Sequence, residues 1–256
     1  LCVLALGEQL SWRWTALLAM ALAMSVLAGF PAVTIVVFVS CGLLAVTLVA
    51  LRQARPGLLV VAAVAGVWSL VLAAVELLPA LELVRLSTAP LRGQWADPQG
   101  GGVPLVGLLS LVVPGHNHIF DLKQYSLGWN PSFLYLYCGW AGLLLAGFAL
   151  TRWRDRHVAV FAPVTLLAGL WMLGSSTPVG GALFAILPDG IKAALYPEFA
   201  MAGFVLGVAV LAGLGAERLM PPQAKPPAPR GNLLGAAIVV LTAVDLIAAG
   251  AGRPMN

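Results

Sequence analysis

Residues 14–51 form a run of 38 without one charged side chain, interrupted only by Gly29, Phe30 and Pro31. An apolar stretch of roughly 20 residues is what an α-helix needs to cross the hydrocarbon core of a bilayer. Only a helix or a closed barrel satisfies its own backbone hydrogen bonds there. Two such lengths lie back to back here, with Pro31 opening the second, where its missing N–H has no intrahelical acceptor to lose. The pattern predicts a helical hairpin in a membrane, and it recurs toward the C-terminus.

Composition points the same way. The chain is 61% hydrophobic and 9% charged with a mean hydropathy of +0.96, whereas soluble domains carry about a quarter charged residues. The expected fold class is therefore all-α: a polytopic transmembrane helix bundle, one domain over residues 1–256. The sequence opens on Leu1 and closes at Asn256 just after an apolar run, so it reads as an excerpt of a longer chain. Glu8 and Arg13 precede an ordinary span, not a cleavable signal.

The net charge of +4 is dispersed over several loops and makes no basic patch, which argues against a nucleic-acid partner. Cys2, Cys41 and Cys138 stand in apolar surroundings without CxxC spacing, so neither a disulfide framework nor a zinc site is expected. No P-loop, GxSxG or HExxH pattern occurs.

Cutting at charged or Pro/Gly-rich breaks gives about seven spans, over residues 14–30, 31–51, 57–78, 131–150, 158–174, 198–216 and 231–250. Nine basic residues fall in one set of short loops, namely Arg13, Arg52, Arg55, Arg152, Arg154, Arg156, Arg218, Lys225 and Arg230. The opposite, longer loops hold five: Arg85, Arg92, Lys123, Lys192 and Arg253. The positive-inside rule then sets the N-terminus in the cytoplasm and the C-terminus outside. Trp12, Trp14, Trp129, Trp153 and Trp171 fall near span ends, where indole favours the headgroup layer, while Trp68 and Trp140 lie deeper and call for a helix neighbour or cavity. Gly203 and Gly207 make a GxxxG pair suited to close packing inside the bundle.

Two connections stand apart. Residues 221–230 are Pro-rich and read as an extended cytoplasmic spacer. Residues 79–130 form a long external loop region containing an apolar stretch, residues 103–114, that is too short to span and suits a re-entrant or interfacial helix.

Ionisable groups beside spans are costly, so each is a functional candidate. Seven of the ten acids map to the outer side or outer span ends: Glu76, Glu82, Asp97, Asp121, Asp189, Glu198 and Asp245. Glu198 and Asp245 read as structural, paired with backbone or a nearby cation. Glu76 and Glu82 stand six apart, on different faces of an unbroken helix, and Pro79 between them offers a kink that would turn both toward one cavity. A carboxylate there serves as general base or cation ligand, while a Glu82–Arg85 pair is the structural alternative. The segment from Pro114 to Tyr125 gathers His116, His118, Asp121 and Lys123, donors for a divalent metal or a phosphate, but the spacing matches no established metal motif, so a solvated loop with incidental histidines and no bound metal is the expectation. The run Gly100, Gly101, Gly102 offers backbone N–H groups for a phosphate nest.

Seven phrases, in order, carry a family resemblance: LAGFP (residues 27–31), ELLPALELVRLS (76–87), YCGWAGLLLAG (137–147), LGSSTP (173–178), ILPDG (186–190), YPEF (196–199) and LAGLGAERL (211–219). Together they resemble the bacterial YfhO-like membrane proteins, grouped with the polytopic C-type (GT-C) glycosyltransferases. The resemblance implies transfer of a sugar from a polyprenyl-phosphate carrier to a cell-envelope acceptor at the outer membrane face. It needs an outer carboxylate to activate the acceptor, with Glu82 and Asp121 as catalytic candidates. It also needs cations for the phosphate, with Arg85, Lys123 and Lys192 as candidates and Glu76, His116 and His118 as further substrate contacts. The family's principal acid lies in a first outer loop, which would precede Leu1. The basic residues that flank the family's YPE stretch are Leu195 and Phe199 here. Alternatives from other classes are a flippase or transporter of a lipid-linked intermediate, and a non-catalytic envelope assembly protein.

Overall fold

A computed structural model describes residues 1–86, 101–116, 118, 135–186, 196–219 and 229–251, and among these residues the regular structure is entirely helical. Ten α-helices follow in order: α1 (Cys2–Glu8), α2 (Trp12–Leu27), α3 (Pro31–Ala50), α4 (Gly57–Leu72), α5 (Ala74–Leu86), α6 (Trp140–Leu150), α7 (Arg156–Met172), α8 (Pro178–Ile186), α9 (Met201–Leu219) and α10 (Pro229–Gly250). Short 3₁₀ turns cover Leu105–Leu111, Gly174–Ser176 and Pro197–Ala200.

Among the described residues two helical runs are long and apolar enough to cross a membrane, Pro31–Ala50 and Pro197–Leu219, and a bent pair makes a third if it counts as one span. The other expected spans come out differently. Helix α2 has 16 residues and α7 has 17, each just short of a full crossing, and the apolar part of α10 covers Gly235–Gly250. Residues 131–134 lie outside the described residues, and α6 starts only at Trp140. The expected span over residues 57–78 is a bent pair, with α4 and α5 meeting at about 70°. That bend falls at Ala73, whereas the sequence pointed to Pro79, which lies inside α5. Ala73 is fully buried, and a side chain ending at Cβ lets the backbone turn hard against the core.

The chain divides into two compact units, Leu1–Gly102 with Leu166–Phe204, and Val103–Thr165 with Val205–Asn256. In the first, α2, α3 and α4 pack on one another and α1 closes over one end of all three. The packed faces are rich in small residues such as Ala19, Ala23, Ala32, Ala45 and Ala65, while Val60, Val64, Val67 and Val71 make an exposed stripe at helical spacing along α4, and Val75 and Leu78 of α5 are exposed beyond the bend. Water does not tolerate such a stripe, but acyl chains do, and small residues let helices approach closely where no hydrophobic drive separates them from lipid. Gly203 follows that rule, facing Ser40, Ala168 and Val36 at ordinary contact distance.

In the second unit the other GxxxG glycine, Gly207, lies directly against Thr165, and Gly215 against the backbone of Leu145. Asp245 of α10 accepts hydrogen bonds from the Tyr137 hydroxyl (2.6 Å) and from the backbone N–H of Trp140 (2.8 Å), so a side chain from a distant helix caps α6. Trp140 is half exposed beside this cap. The 3₁₀ turn Leu105–Leu111 buries Gly107 and Ser110 and exposes Leu105, Val106 and Leu109. At about 2.0 Å per residue it extends far less than a membrane thickness, and its apolar outer face suits an interfacial or re-entrant position.

The α6–α7 connection and the C-terminal end of α9 meet in one clasp. Asp155 caps α7, its Oδ1 accepting the N–H of His157 at 2.9 Å and that of Val158 at 3.5 Å. Its Oδ2 lies 2.7 Å from Arg218 Nη2, and Nη1 of the same guanidinium donates to the Ala149 carbonyl at 3.1 Å, at the C-terminal end of α6. Partial burial pushes the Asp155 carboxyl up, but the Arg218, His157 and Val158 hydrogen bonds outweigh it and hold the group below the usual carboxylate range.

Candidate functional site

The hairpin between α2 and α3 turns at Gly29, whose φ of 72° is the left-handed conformation that glycine adopts without penalty. Phe30 follows and meets Phe199 edge to face at 4.8 Å between centroids, and Tyr196 lies 5.9 Å from Phe199. These aromatics come from the YPEF phrase, which forms the Pro197–Ala200 turn leading into α9. Pro197 is fully buried and fixes where the next side chain starts.

That side chain is Glu198. Its Oε1 accepts the backbone N–H of Gly102 at 3.1 Å, while its Oε2 is buried and finds no hydrogen-bond partner among the described residues. The adjoining Gly101 carbonyl accepts both the N–H and the hydroxyl of Ser175, each at 2.9 Å. Gly101, Gly102 and Gly174 all have positive φ, at 62°, 110° and 48°. A Cβ on Gly102 would stand 2.5 Å from the Leu173 carbonyl oxygen, so the close approach of these two backbones depends on glycine. Thr177 then opens α8, its Oγ1 accepting the N–H of Gly180 at 3.2 Å. Three phrases remote in sequence, around Gly101, Ser175 and Glu198, thus build one cradle. Its occupant is a carboxylate oxygen with no hydrogen-bond partner among the described residues.

A buried acceptor left unsatisfied costs about 1–3 kcal/mol, and more when charged. Such an oxygen can accept a proton from a hydroxyl or take a place in a cation's coordination shell. Glu76 stands at the same end of this unit, its Oε1 3.5 Å from where a Cβ on Gly29 would be. The Phe30–Phe199 pair therefore has Glu76 beside its hairpin neighbour and Glu198 adjacent in sequence to its other ring.

The remaining expected site residues are dispersed. Glu82 is exposed on α5, six residues from the half-buried Glu76 with Pro79 between them. Arg85 lies in the same helix. His116 and His118 are exposed beyond the 3₁₀ turn Leu105–Leu111, and His118 has a φ of 49°. Asp121, Lys123 and Lys192 lie outside the described residues. Among the described residues no three His, Cys, Asp or Glu side chains gather as a metal site. The phosphate-nest reading of the glycine run is not what Gly102 does, because its N–H is engaged by Glu198.

Sequence reasoning weighed Glu198 as a structural group. The signal that could have raised it was the co-occurrence of the glycine run, LGSSTP and YPEF, each noticed separately. No family model, curated protein or solved structure matches the chain.

Proposed function

We propose that this is a multi-pass protein of the bacterial cell membrane, with about seven spans and a cytoplasmic N-terminus, that transfers a sugar from a polyprenyl-phosphate carrier to a cell-envelope acceptor at its outer face. The observation that carries the reading is Glu198, with one oxygen anchored on Gly102 and the other buried without a hydrogen-bond partner among the described residues, in a turn that also carries Tyr196 and Phe199. Anchoring fixes the carboxylate in place. The free oxygen supplies the acceptor that a general base needs, within about 3 Å of a hydroxyl. Aromatic faces such as Tyr196 and Phe199 offer apolar surfaces against which a sugar ring can stack.

In the proposed reaction the acceptor hydroxyl oxygen bonds to the anomeric carbon as the bond from that carbon to the carrier phosphate oxygen breaks. The hydroxyl proton passes to Glu198, and the carrier leaves as polyprenyl phosphate. Arg85, Lys123 or Lys192 would neutralise the departing phosphate. Glu82 and Asp121 remain the competing bases drawn from the family resemblance to YfhO-like proteins.

The test is sugar transfer from the lipid carrier by the full-length protein in membranes, comparing wild type with Glu198→Gln, Glu82→Gln and Asp121→Asn. Glutamine keeps an oxygen for the Gly102 N–H, so the fold is expected to persist while transfer falls by at least about 100-fold, the scale of general-base contributions. Wild-type transfer by Glu198→Gln would remove it from the chemistry. A loss confined to Glu82→Gln or Asp121→Asn would move the base there. Absence of transfer by the wild type with every carrier tried would refute the reaction itself.

A further inference from the structure

The opposite end of α3 carries a second arrangement that the proposed transfer does not use. Helix α3 has 20 residues and so runs about 30 Å from the Phe30 hairpin to the Leu51–Arg55 connection, the thickness of a hydrocarbon core. At that far end, Leu6, Gly7, Glu8, Gln9 and Leu10 from the α1 end face Arg52, Gln53, Ala54 and Arg55 across a pocket of about 520 Å³. Sharing Leu10 with it as a lining residue is a groove of about 550 Å³ between α2 and α4. Its walls include Ala16, Ala19 and Met20 on one side and Val61, Val64 and Trp68 on the other.

The two cavities differ in chemistry in the way a lipid does. The groove follows residues 12, 15, 16, 19 and 20 of α2 and 61, 64, 68 and 72 of α4, each set one helical stripe, and runs about 16 Å along α4. Alanines at 16 and 19 leave the trough, and Trp12 and Trp68 stand exposed along it. Arg52 and Arg55 line the pocket against one acid, Glu8, a positive balance that complements an anionic headgroup.

The backbone at this pocket is also unusual. Arg52 adopts φ 57°, a left-handed conformation that costs a residue with a Cβ roughly 1–2 kcal/mol and that helix C-termini usually assign to glycine. The turn is locked by Gln53 and Ala54 N–H groups, which both donate to the Leu48 carbonyl, at 2.8 and 3.2 Å. A glycine would relieve the strain but would bring no charge to the pocket. Holding a guanidinium at this strained position, three residues from a second one, makes sense if the pair has a ligand.

We propose that one anionic glycerophospholipid occupies this site, its phosphate between Arg52 and Arg55 and one acyl chain in the groove between α2 and α4. Glu8 and Gln9 take the headgroup hydroxyls. The site lies at the end of the first unit away from Glu198, so it is independent of the transfer reaction. Its consequence is structural: the lipid seals the cleft where α1 closes on α2 and α4.

The two tryptophans give the readout. The full-length protein is reconstituted in phosphatidylcholine vesicles with increasing fractions of phosphatidylglycerol brominated on its acyl chains, which quenches indole on contact. The expected result is a quenching component that saturates at a low mole fraction and that Trp68→Phe removes. Arg52→Gln and Arg55→Gln should each weaken its half-saturation by about fivefold, the worth of one basic residue near a lipid surface. Retention of phosphatidylglycerol in native mass spectra of wild type, reduced in the double Arg variant, would support the same assignment. Quenching that follows the bulk brominated fraction, equal for brominated phosphatidylcholine and unchanged in both Arg variants, would overturn it. So would displacement of the lipid by polyprenyl phosphate at lower concentration than by unlabelled phosphatidylglycerol, which would make this a carrier site.

Discussion

Replacing Asp155 separates two contributions that meet on one side chain. Asp155→Asn keeps an oxygen for the His157 N–H at the start of α7 and loses the charge opposite Arg218, whereas Asp155→Ala loses both. Asn caps helices about as well as Asp, and replacing such a cap by Ala costs about 0.5–2 kcal/mol. Unfolded membrane helices in detergent keep local structure and find other partners, so the cap effect should fall toward the lower half of that range. The ion pair is close, at 2.7 Å, but the Asp155 side chain is 39% exposed, which screens it. Its share is then about 0.5 kcal/mol, inside the range for exposed pairs.

The expected order at neutral pH is therefore wild type, then Asp155→Asn lower by about 0.5 kcal/mol, then Asp155→Ala lower by about 1–2 kcal/mol. The acid side carries its own signature. The folded carboxyl titrates below its ordinary value, so its stabilisation is complete above the unfolded-state pKa, near 4, and disappears as pH falls through the lower folded value. Wild type should lose its advantage over Asp155→Asn in that acidic window. Reversible unfolding in mixed micelles, followed from pH 7 down to pH 3, measures both effects. A variant Asp155→Asn as damaged as Asp155→Ala at neutral pH would mean that charge, not capping, dominates. An unchanged gap between wild type and Asp155→Asn throughout the acid range would refute the account of the clasp.

Gly207→Ala should destabilise the protein by about 1–3 kcal/mol, because its new Cβ would overlap the Thr165 side chain, and Thr165→Ala should return part of that loss in a double-mutant cycle. Additive losses would mean that the two helices are not in contact at this point. In sealed cells, a cysteine replacing Gln99 should react with an impermeant thiol reagent from outside, while one replacing Gln53 or Ala224 should not. The reverse pattern would overturn the orientation and move the Glu198 cradle to the cytoplasm.

What the sequence announces most clearly is whatever depends on neighbours along the chain. The α2–α3 hairpin at Gly29 and Pro31 follows from an uncharged run and a proline at a helix start, and the helical class follows from composition. The GxxxG pair is equally local, and both of its glycines pack within the chain. Helix α1 escapes a span-based reading because seven residues make no hydropathy window. The bend at Ala73 escapes it because nothing local marks that alanine, whereas Pro79 is a visible breaker that α5 absorbs within its run.

The Glu198 cradle lies beyond reach for a different reason. Spacing rules rank a carboxylate by its neighbours within a turn or two, which is why Glu76 and Glu82, six apart around a proline, looked like the stronger pair. The contacts that distinguish Glu198 cross the sequence instead, 96 residues to Gly102, with Ser175 holding Gly101 across 74. Each of those segments is weak alone: a glycine run, a Ser-Ser step and a proline before an acid. Only their meeting turns a carboxylate that could have been a routine interfacial charge into one anchored on a backbone donor, with its other oxygen buried and, among the described residues, unmatched. A group that merely needed neutralising would have had that second oxygen paired as well, as Asp245 is by Tyr137 and Trp140. The contrast between these two acids, both first read as structural, is the strongest reason to seek the chemistry at Glu198.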